Sequence, residues 1–261
     1  MAAGGSVWAL DFDGVVCDSV GESSLSAWQA SAELWPDLFA QPAVQVRRTE
    51  ILDKMRTVRP VVETGYENLV QVRCLLEGVE PQDILTNWHA LLPEYMQKWD
   101  LQRSELVERF GVTRDDWIAR DLPDWLAANG IYAGLPELLQ SLNTAHELYI
   151  VTTKQARFTE ALLHNAAHLP LPAERIFSTA ETGQPKSKVL AQLQAKHPGT
   201  EYHFVEDKLS TLEKVAKVPE LDAWKLYLVD WGYNTVMERA RAAADPRVEV
   251  VDLAALTAAA R

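Results

Sequence analysis

The chain has 261 residues, 48% apolar and 24% charged, which is enough for a substantial core in one large or two ordinary domains and unlike a disordered chain. Its 25 Lys and Arg against 37 Asp and Glu give a net charge of −12, which argues against a general nucleic-acid or anionic-membrane surface yet permits a small anionic ligand beside a local cation. Cys17 and Cys74 lie far apart in no metal-binding spacing, no apolar run approaches the ~18–20 residues of a membrane span, and residues 1–6 show no leader pattern, so the chain reads as cytoplasmic, or organellar if a transit segment was removed.

Residues 7–10, Val-Trp-Ala-Leu, predict a strand that runs into Asp11-Phe12-Asp13-Gly14. Alternation along a strand sends Asp11 and Asp13 to one side and Phe12 to the other, and Gly14 permits a sharp turn. Two carboxylates about 4 Å apart repel by roughly 4 kcal/mol in moderately screening surroundings, so the pair requires a cation, a shared proton or open water.

From residue 18 to about 130 the pattern is helical and predicts no strand. Helices are expected over 20–35, closed by Pro36, over 42–55 with Arg47 and Arg48 on a solvated face, and over 61–77 before Gly78. Others follow over 81–99, kinked or broken at Pro93, and over 104–110, ended by Gly111; Thr113-Arg114-Asp115-Asp116 resembles a capping box that opens one more. Trp28, Trp35, Trp88, Trp99, Trp117 and Trp125 fall in this stretch and read as helical core rather than ligand-stacking rings.

From Gly134 helices and strands alternate. Helices are predicted over 136–142, 156–167, 187–196, 209–218 and 235–244, and strands over 147–151, 175–177, 202–205, 225–229 and 248–251. The expected fold is α/β: a doubly wound, parallel-sheet, Rossmann-like core of residues 1–16 and 131–261, interrupted by an inserted all-helical domain over 17–130.

Ligands of open parallel sheets bind beyond the carboxyl ends of the strands. The polar residues predicted there are Asp11 and Asp13, Thr152 with Thr153 beside it, and Glu206 with Asp207. Lys186 or Lys188 joins them from the loop over 182–188; Lys186 is preferred, because Lys188 falls inside a helix where lysine is usually solvated. Four carboxylates with one lysine, all hard oxygen donors without Cys or His, point to Mg²⁺.

Asp11-Phe12-Asp13-Gly14, Thr152, Lys186 and Glu206-Asp207 stand in the order of the four motifs of the haloacid dehalogenase (HAD) superfamily. The chain resembles that superfamily over residues 6–16 and 131–261, and the helical insert stands where its members carry a C1-type cap. The resemblance implies Asp11 as nucleophile, Asp13 as general acid and then base, Thr152 as a hydrogen-bond donor to a phosphoryl oxygen and Lys186 as the neutralising cation. It further implies Mg²⁺ held by Asp11, the main-chain carbonyl of Asp13, Asp207 and, directly or through water, Glu206. Gly14 and Thr153 join the substrate-side residues.

An acid at position 13, absent from the dehalogenases that name the superfamily, favours phosphoryl transfer. Thr211 stands where the common fourth motif has its second acid, so this chain resembles the adjacent-acid variant. The expected activity is Mg²⁺-dependent hydrolysis of a small phosphorylated metabolite through an aspartyl-phosphate. The same parts would serve a phosphomutase or a weakly active, metal-binding regulatory protein; phosphonatase chemistry would draw on Lys54 as a Schiff-base lysine. Arg59 and Tyr66 in the insert are candidate substrate contacts under a closing cap. His164 and His168 read as surface residues four apart on one helix, and Cys17 as packed, with partial exposure near the site as the alternative.

Overall fold

The structure, a computed structural model, describes residues 5–261; residues 1–4 of the stretch read for a leader lie outside them. The chain divides into an α/β unit, up to Asp18 and again from Gly130, and a helical unit of Ser19–Asn129.

The strands are β1 (Val7–Leu10), β2 (Cys17–Asp18), β3 (Gly130–Ile131), β4 (Glu147–Thr152), β5 (Ile176–Ser178), β6 (Tyr202–Glu206), β7 (Trp224–Val229) and β8 (Val248–Val251). Six of them form one sheet in the order β5-β4-β1-β6-β7-β8, parallel throughout. The chain thus enters at a central strand, builds outward to β5 on one side and later to β8 on the other, and makes the β1 carboxyl end a topological switch point. Register sets Leu10 beside Ile150 and Val205, so the residues after Leu10, Val151 and Val205 come together at one rim. Both faces of β1 are buried, as its unbroken apolar run requires. Val7, Ala9, Tyr149, Val151, Phe204 and Leu226 pack into one cluster with Leu190, Leu193, Leu212 and Val215.

Cys17 and Asp18 were expected to open the helical insert. They instead pair antiparallel with Ile131 and Gly130, which draws both ends of the excursion into the α/β unit.

The helical unit holds α1 (Val20–Leu34), α2 (Pro36–Phe39), α3 (Pro42–Gln45), α4 (Arg48–Val58), α5 (Glu67–Leu76), α6 (Pro81–Lys98) and α7 (Arg103–Ala127). Its core gathers Trp28, Phe39, Ile51, Met55, Leu69, Leu75, Trp88 and Phe110. Trp35 and Trp99 meet edge to face with the Arg73 guanidinium 4.8 and 4.2 Å from their rings, which is a packing role.

Several helix bounds differ from the sequence reading. The helix expected over 42–55 breaks at Val46 and Arg47. Arg47 is not simply solvated: it donates to the Leu76 and Leu75 carbonyls at 3.0 and 3.3 Å and so caps α5. The helix expected from residue 61 begins at Glu67, whose buried carboxylate accepts from the Glu63 and Thr64 amides and from Trp88 Nε1 and ties down the loop before it. α6 runs through Pro93. α7 runs through a buried Gly111, and Thr113 bonds back to the Arg109 carbonyl instead of capping. The break in α7 falls at Asp121 (φ −157°, ψ 80°), whose carboxylate accepts from Asp124 N and restarts the helix with Pro123 in its first turn.

The α/β unit adds α8 (Leu135–Ala145), α9 (Ala156–Asn165), α10 (Thr179–Thr182), α11 (Lys186–Lys196), α12 (Leu209–Ala216), α13 (Val236–Ala244) and α14 (Leu253–Ala259). Thr235 opens α13 with a capping box closed by Glu238. α9 ends at Asn165, and His168 stands beyond it at φ 53°, so His164 and His168 do not share a helix. Among the described residues no helix is long and apolar enough to cross a membrane.

Candidate functional site

The loop after β1 is a single tight turn. Asp11 N still donates to the Val205 carbonyl, while the Phe12 carbonyl accepts from Val15, Val16 and Cys17 and Gly14 N donates to the Cys17 carbonyl. Cys17 is fully buried in this turn, so its packed reading holds and its exposed one does not. Gly14 sits at φ 83°, and a Cβ there would overlap Asp207 Oδ2 and lie 2.6 Å from Asp207 Cγ. Only glycine meets both demands, the left-handed backbone and the close approach.

Asp11 points to the same rim as the residues ending β4 and β6. Lys186 Nζ lies 2.7 Å from Glu206 Oε2, in a hydrogen bond, and 2.9 Å from Asp11 Oδ1, in an ion contact. Lys186 was expected in a loop but is the first residue of α11, directly after Pro185. There its side chain projects back toward the strand ends, whereas Lys188 is exposed. Burial alone would lower the Lys186 pKa, but the charges of Asp11 and Glu206 outweigh it and hold the ammonium above its ordinary value.

Glu206 is fully buried, and its other oxygen accepts from the Asp207 and Lys208 amides, both at 3.1 Å. Its pKa stands well above the usual carboxyl range: burial first and then Asp11 raise it, Lys186 opposes, and Asp207 raises it further. Asp207 is held from the loop after β7. Tyr233 N donates to its Oδ2 at 2.8 Å, and Asn234 Nδ2 donates to its carbonyl at 2.9 Å. The same loop reaches the β1 turn through Trp231 Nε1 to the Val15 carbonyl and Tyr233 Oη to Asp18.

Thr152 is fully buried at the end of β4, with Thr153 half-buried beside it. Thr152 Oγ1 accepts from Lys154 N at 3.1 Å, which leaves its own hydrogen to donate elsewhere. The Lys154 ammonium, itself buried, reaches Asp13 Oδ1 at 3.2 Å. The sequence reading passed over Lys154 and the 231–234 loop. Lys154 directly follows the two threonines, and that adjacency was the available signal; nothing in the sequence ties residues 231–234 to Asp207.

Arg59 and Tyr66 lie in the helical unit. Arg59 Nη1 donates to the Val62 carbonyl at 3.3 Å, and the Tyr66 ring lies 5.5 Å from the Arg103 guanidinium. Lys54 pairs with Glu50.

Asp11, Glu206 and Asp207, all buried, bring one carboxylate oxygen each to within 4.8 Å of one another. Two oxygens on opposite sides of a Mg²⁺-sized ion stand about 4.2 Å apart, so small adjustments seat a hard divalent cation. Buried Asp11 Oδ1 meets the Lys186 ammonium at 2.9 Å, and a carboxylate oxygen keeps further lone-pair capacity for such an ion. The donor set fits a divalent metal.

No family model and no curated protein matches the chain. Solved structures do. A predicted phosphoglycolate phosphatase from Haemophilus somnus 129pt is similar at TM-score 0.61 and 15% identity, over 98% of each chain. A predicted phosphatase from Clostridium acetobutylicum is similar at TM-score 0.54 and 15% identity, again over 98% of each chain. A haloacid dehalogenase-like family hydrolase from Streptococcus pneumoniae is similar at TM-score 0.53 and 14% identity over 100% of each. The likeness spans both units, and the protein has the haloacid dehalogenase-like fold.

Proposed function

We propose that this protein is a Mg²⁺-dependent phosphatase that hydrolyses a small phosphomonoester through an aspartyl-phosphate on Asp11. The observation that carries the reading is the convergence on Asp11: Lys186 touches its Oδ1, the Glu206 and Asp207 carboxylates lie beside it, and Asp13 stands two residues on with its own lysine. A merely structural ion pair has no need of three buried carboxylates with oxygens within 4.8 Å of one another. The phosphatase descriptions of the similar structures support the reaction class; the substrate is for assay to assign.

In this reading an Asp11 oxygen attacks phosphorus, the P–O bond to the alcohol breaks, and Asp13 gives its proton to the departing oxygen. Water then attacks the aspartyl-phosphate, Asp13 takes the proton, and the Asp11 carboxylate is restored. Thr152 donates to a phosphoryl oxygen, and Lys186 keeps Asp11 and the incoming phosphate from repelling each other. Asp11, Asp207 and the Asp13 carbonyl would hold Mg²⁺, with Glu206 completing the set. When bound, the ion stabilises negative charge on the transferring group.

The test is phosphate release from a panel of phosphomonoesters with Mg²⁺, with chelator, and by Asp11→Asn. Turnover that needs Mg²⁺ and vanishes in Asp11→Asn supports the proposal. Turnover that survives in Asp11→Asn refutes it, and so does an absence of release with interconversion of sugar phosphate isomers.

A further inference from the structure

We infer that Lys154 is a positioning residue for the Asp13 carboxylate, holding it where it exchanges protons with the leaving alcohol. The inference rests on the reading of Asp13 as general acid and adds a residue to it.

Lys154 is an unusual place for a lysine. Only 1% of its side chain is exposed, and taking an ammonium out of water costs several kcal/mol unless a partner compensates. The ion pair at 3.2 Å to Asp13 Oδ1 provides that compensation across 141 residues of chain. Asp13 is the more open member, with 19% of its side chain exposed. A carboxylate at such a rim turns about two torsions, and an error of about 1 Å in the position of a reacting group can cost about a hundredfold in rate. The buried ammonium fixes one carboxylate oxygen of Asp13 and so restricts both torsions.

Lys154 is itself fixed. It follows Thr152 and Thr153 at the end of β4, and its amide donates to Thr152 Oγ1 at 3.1 Å. The amide therefore sets the Thr152 hydroxyl while the side chain sets Asp13, so the phosphoryl-binding group and the proton donor share one rigid support. Lys186 serves Asp11 and Glu206 at the same rim; the two lysines divide the nucleophile and the acid between them.

The test compares kcat/KM, which reports on steps up to transfer of the phosphoryl group to Asp11, for two substrates. A simple alkyl phosphomonoester needs a proton on its leaving oxygen, and 4-nitrophenyl phosphate departs as a stabilised phenolate and needs none. In Lys154→Met the alkyl-to-aryl ratio of kcat/KM is expected to fall about tenfold or more, in parallel with Asp13→Asn, and Lys154→Arg is expected to recover most of that loss. A purely structural lysine would lower both substrates alike, so an unchanged ratio in Lys154→Met overturns the inference whether or not the variant is less stable. An unchanged ratio in Asp13→Asn would instead remove the general-acid reading, and this inference with it. Failure of the wild-type protein to release phosphate from any phosphomonoester of the panel would remove the proposed function itself.

Discussion

Gly14→Ala separates two costs that the structure places on one residue. The first is backbone strain: Gly14 sits at φ 83°, where an L side chain costs roughly 1–2 kcal/mol. The second is overlap. The new Cβ would fall on Asp207 Oδ2 and lie 2.6 Å from Asp207 Cγ and 2.9 Å from Tyr233 Cδ2. Asp207 cannot yield cheaply, because its carboxylate is held by Tyr233 N and its carbonyl by Asn234 Nδ2, so about 1–3 kcal/mol more is expected from the forced shift. Together these give about 2–5 kcal/mol, or roughly 5–15 °C in the melting temperature of a chain this size. Gly183→Ala is the control: φ there is 68° with no atom within 4 Å of the new Cβ, so only strain is paid. Calorimetry with and without Mg²⁺ reads both effects. Gly14→Ala should melt well below Gly183→Ala and should lose most of the Mg²⁺-induced rise, since the atom displaced belongs to the proposed metal set. Equal melting temperatures for the two variants, with the Mg²⁺ rise intact in both, would refute the reasoning.

In the helical unit, Arg114 donates to both oxygens of fully buried Glu22, at 2.6 and 2.8 Å. Arg114→Met should destabilise the protein by about 3–5 kcal/mol in urea titrations, and Glu22→Gln added to it should recover part of that loss. In the α/β unit, His203 stacks on Trp8 with ring centroids 4.0 Å apart, and Tyr227 Oη meets its Nδ1 at 3.1 Å. Burial first, then the charges of Lys225 and His146, lower its pKa to about 4 against the pull of Glu201. The unfolded chain takes up this proton near pH 6.5. The contribution to stability is therefore complete above about pH 6.5 and lost as pH falls toward about 4, by about 2 kcal/mol once solvent screening is allowed for. In His203→Phe the decline of the urea midpoint across that window should be shallower than in the wild type; an identical slope would contradict the assignment.

The sheet was legible because its central strands β1, β4 and β6 are buried on both faces and read as largely apolar runs, and because each of these three ends in or runs into a polar residue of the site. Asp11, Thr152, Glu206 and Asp207 each follow or end such a run, so spacing along the chain carried their spatial convergence. Lys154 was not legible, because its partner Asp13 is 141 residues away and a lysine after a strand is ordinarily solvated. The hold of Tyr233 on Asp207 runs through a backbone amide, which leaves no trace in residue identity. In the helical unit, local rules lost to packing. Gly111 lies buried inside a helix it was expected to end, since packing against neighbouring helices outweighs its propensity cost, and Pro93, expected to kink or break its helix, lies inside α6. Arg47 reads as a surface charge until the C-terminus of α5 is found beneath it.

The central claim is that Asp11 carries the phosphoryl group during turnover. Acid quenching at steady state, borohydride reduction and peptide mass spectrometry measure it directly, because an acyl phosphate is reduced to the alcohol and a free carboxylate is not. Reduction of the side chain at position 11, dependent on substrate and on Mg²⁺, is the predicted result. Turnover with an unreduced Asp11, or reduction at another carboxylate, would contradict the account.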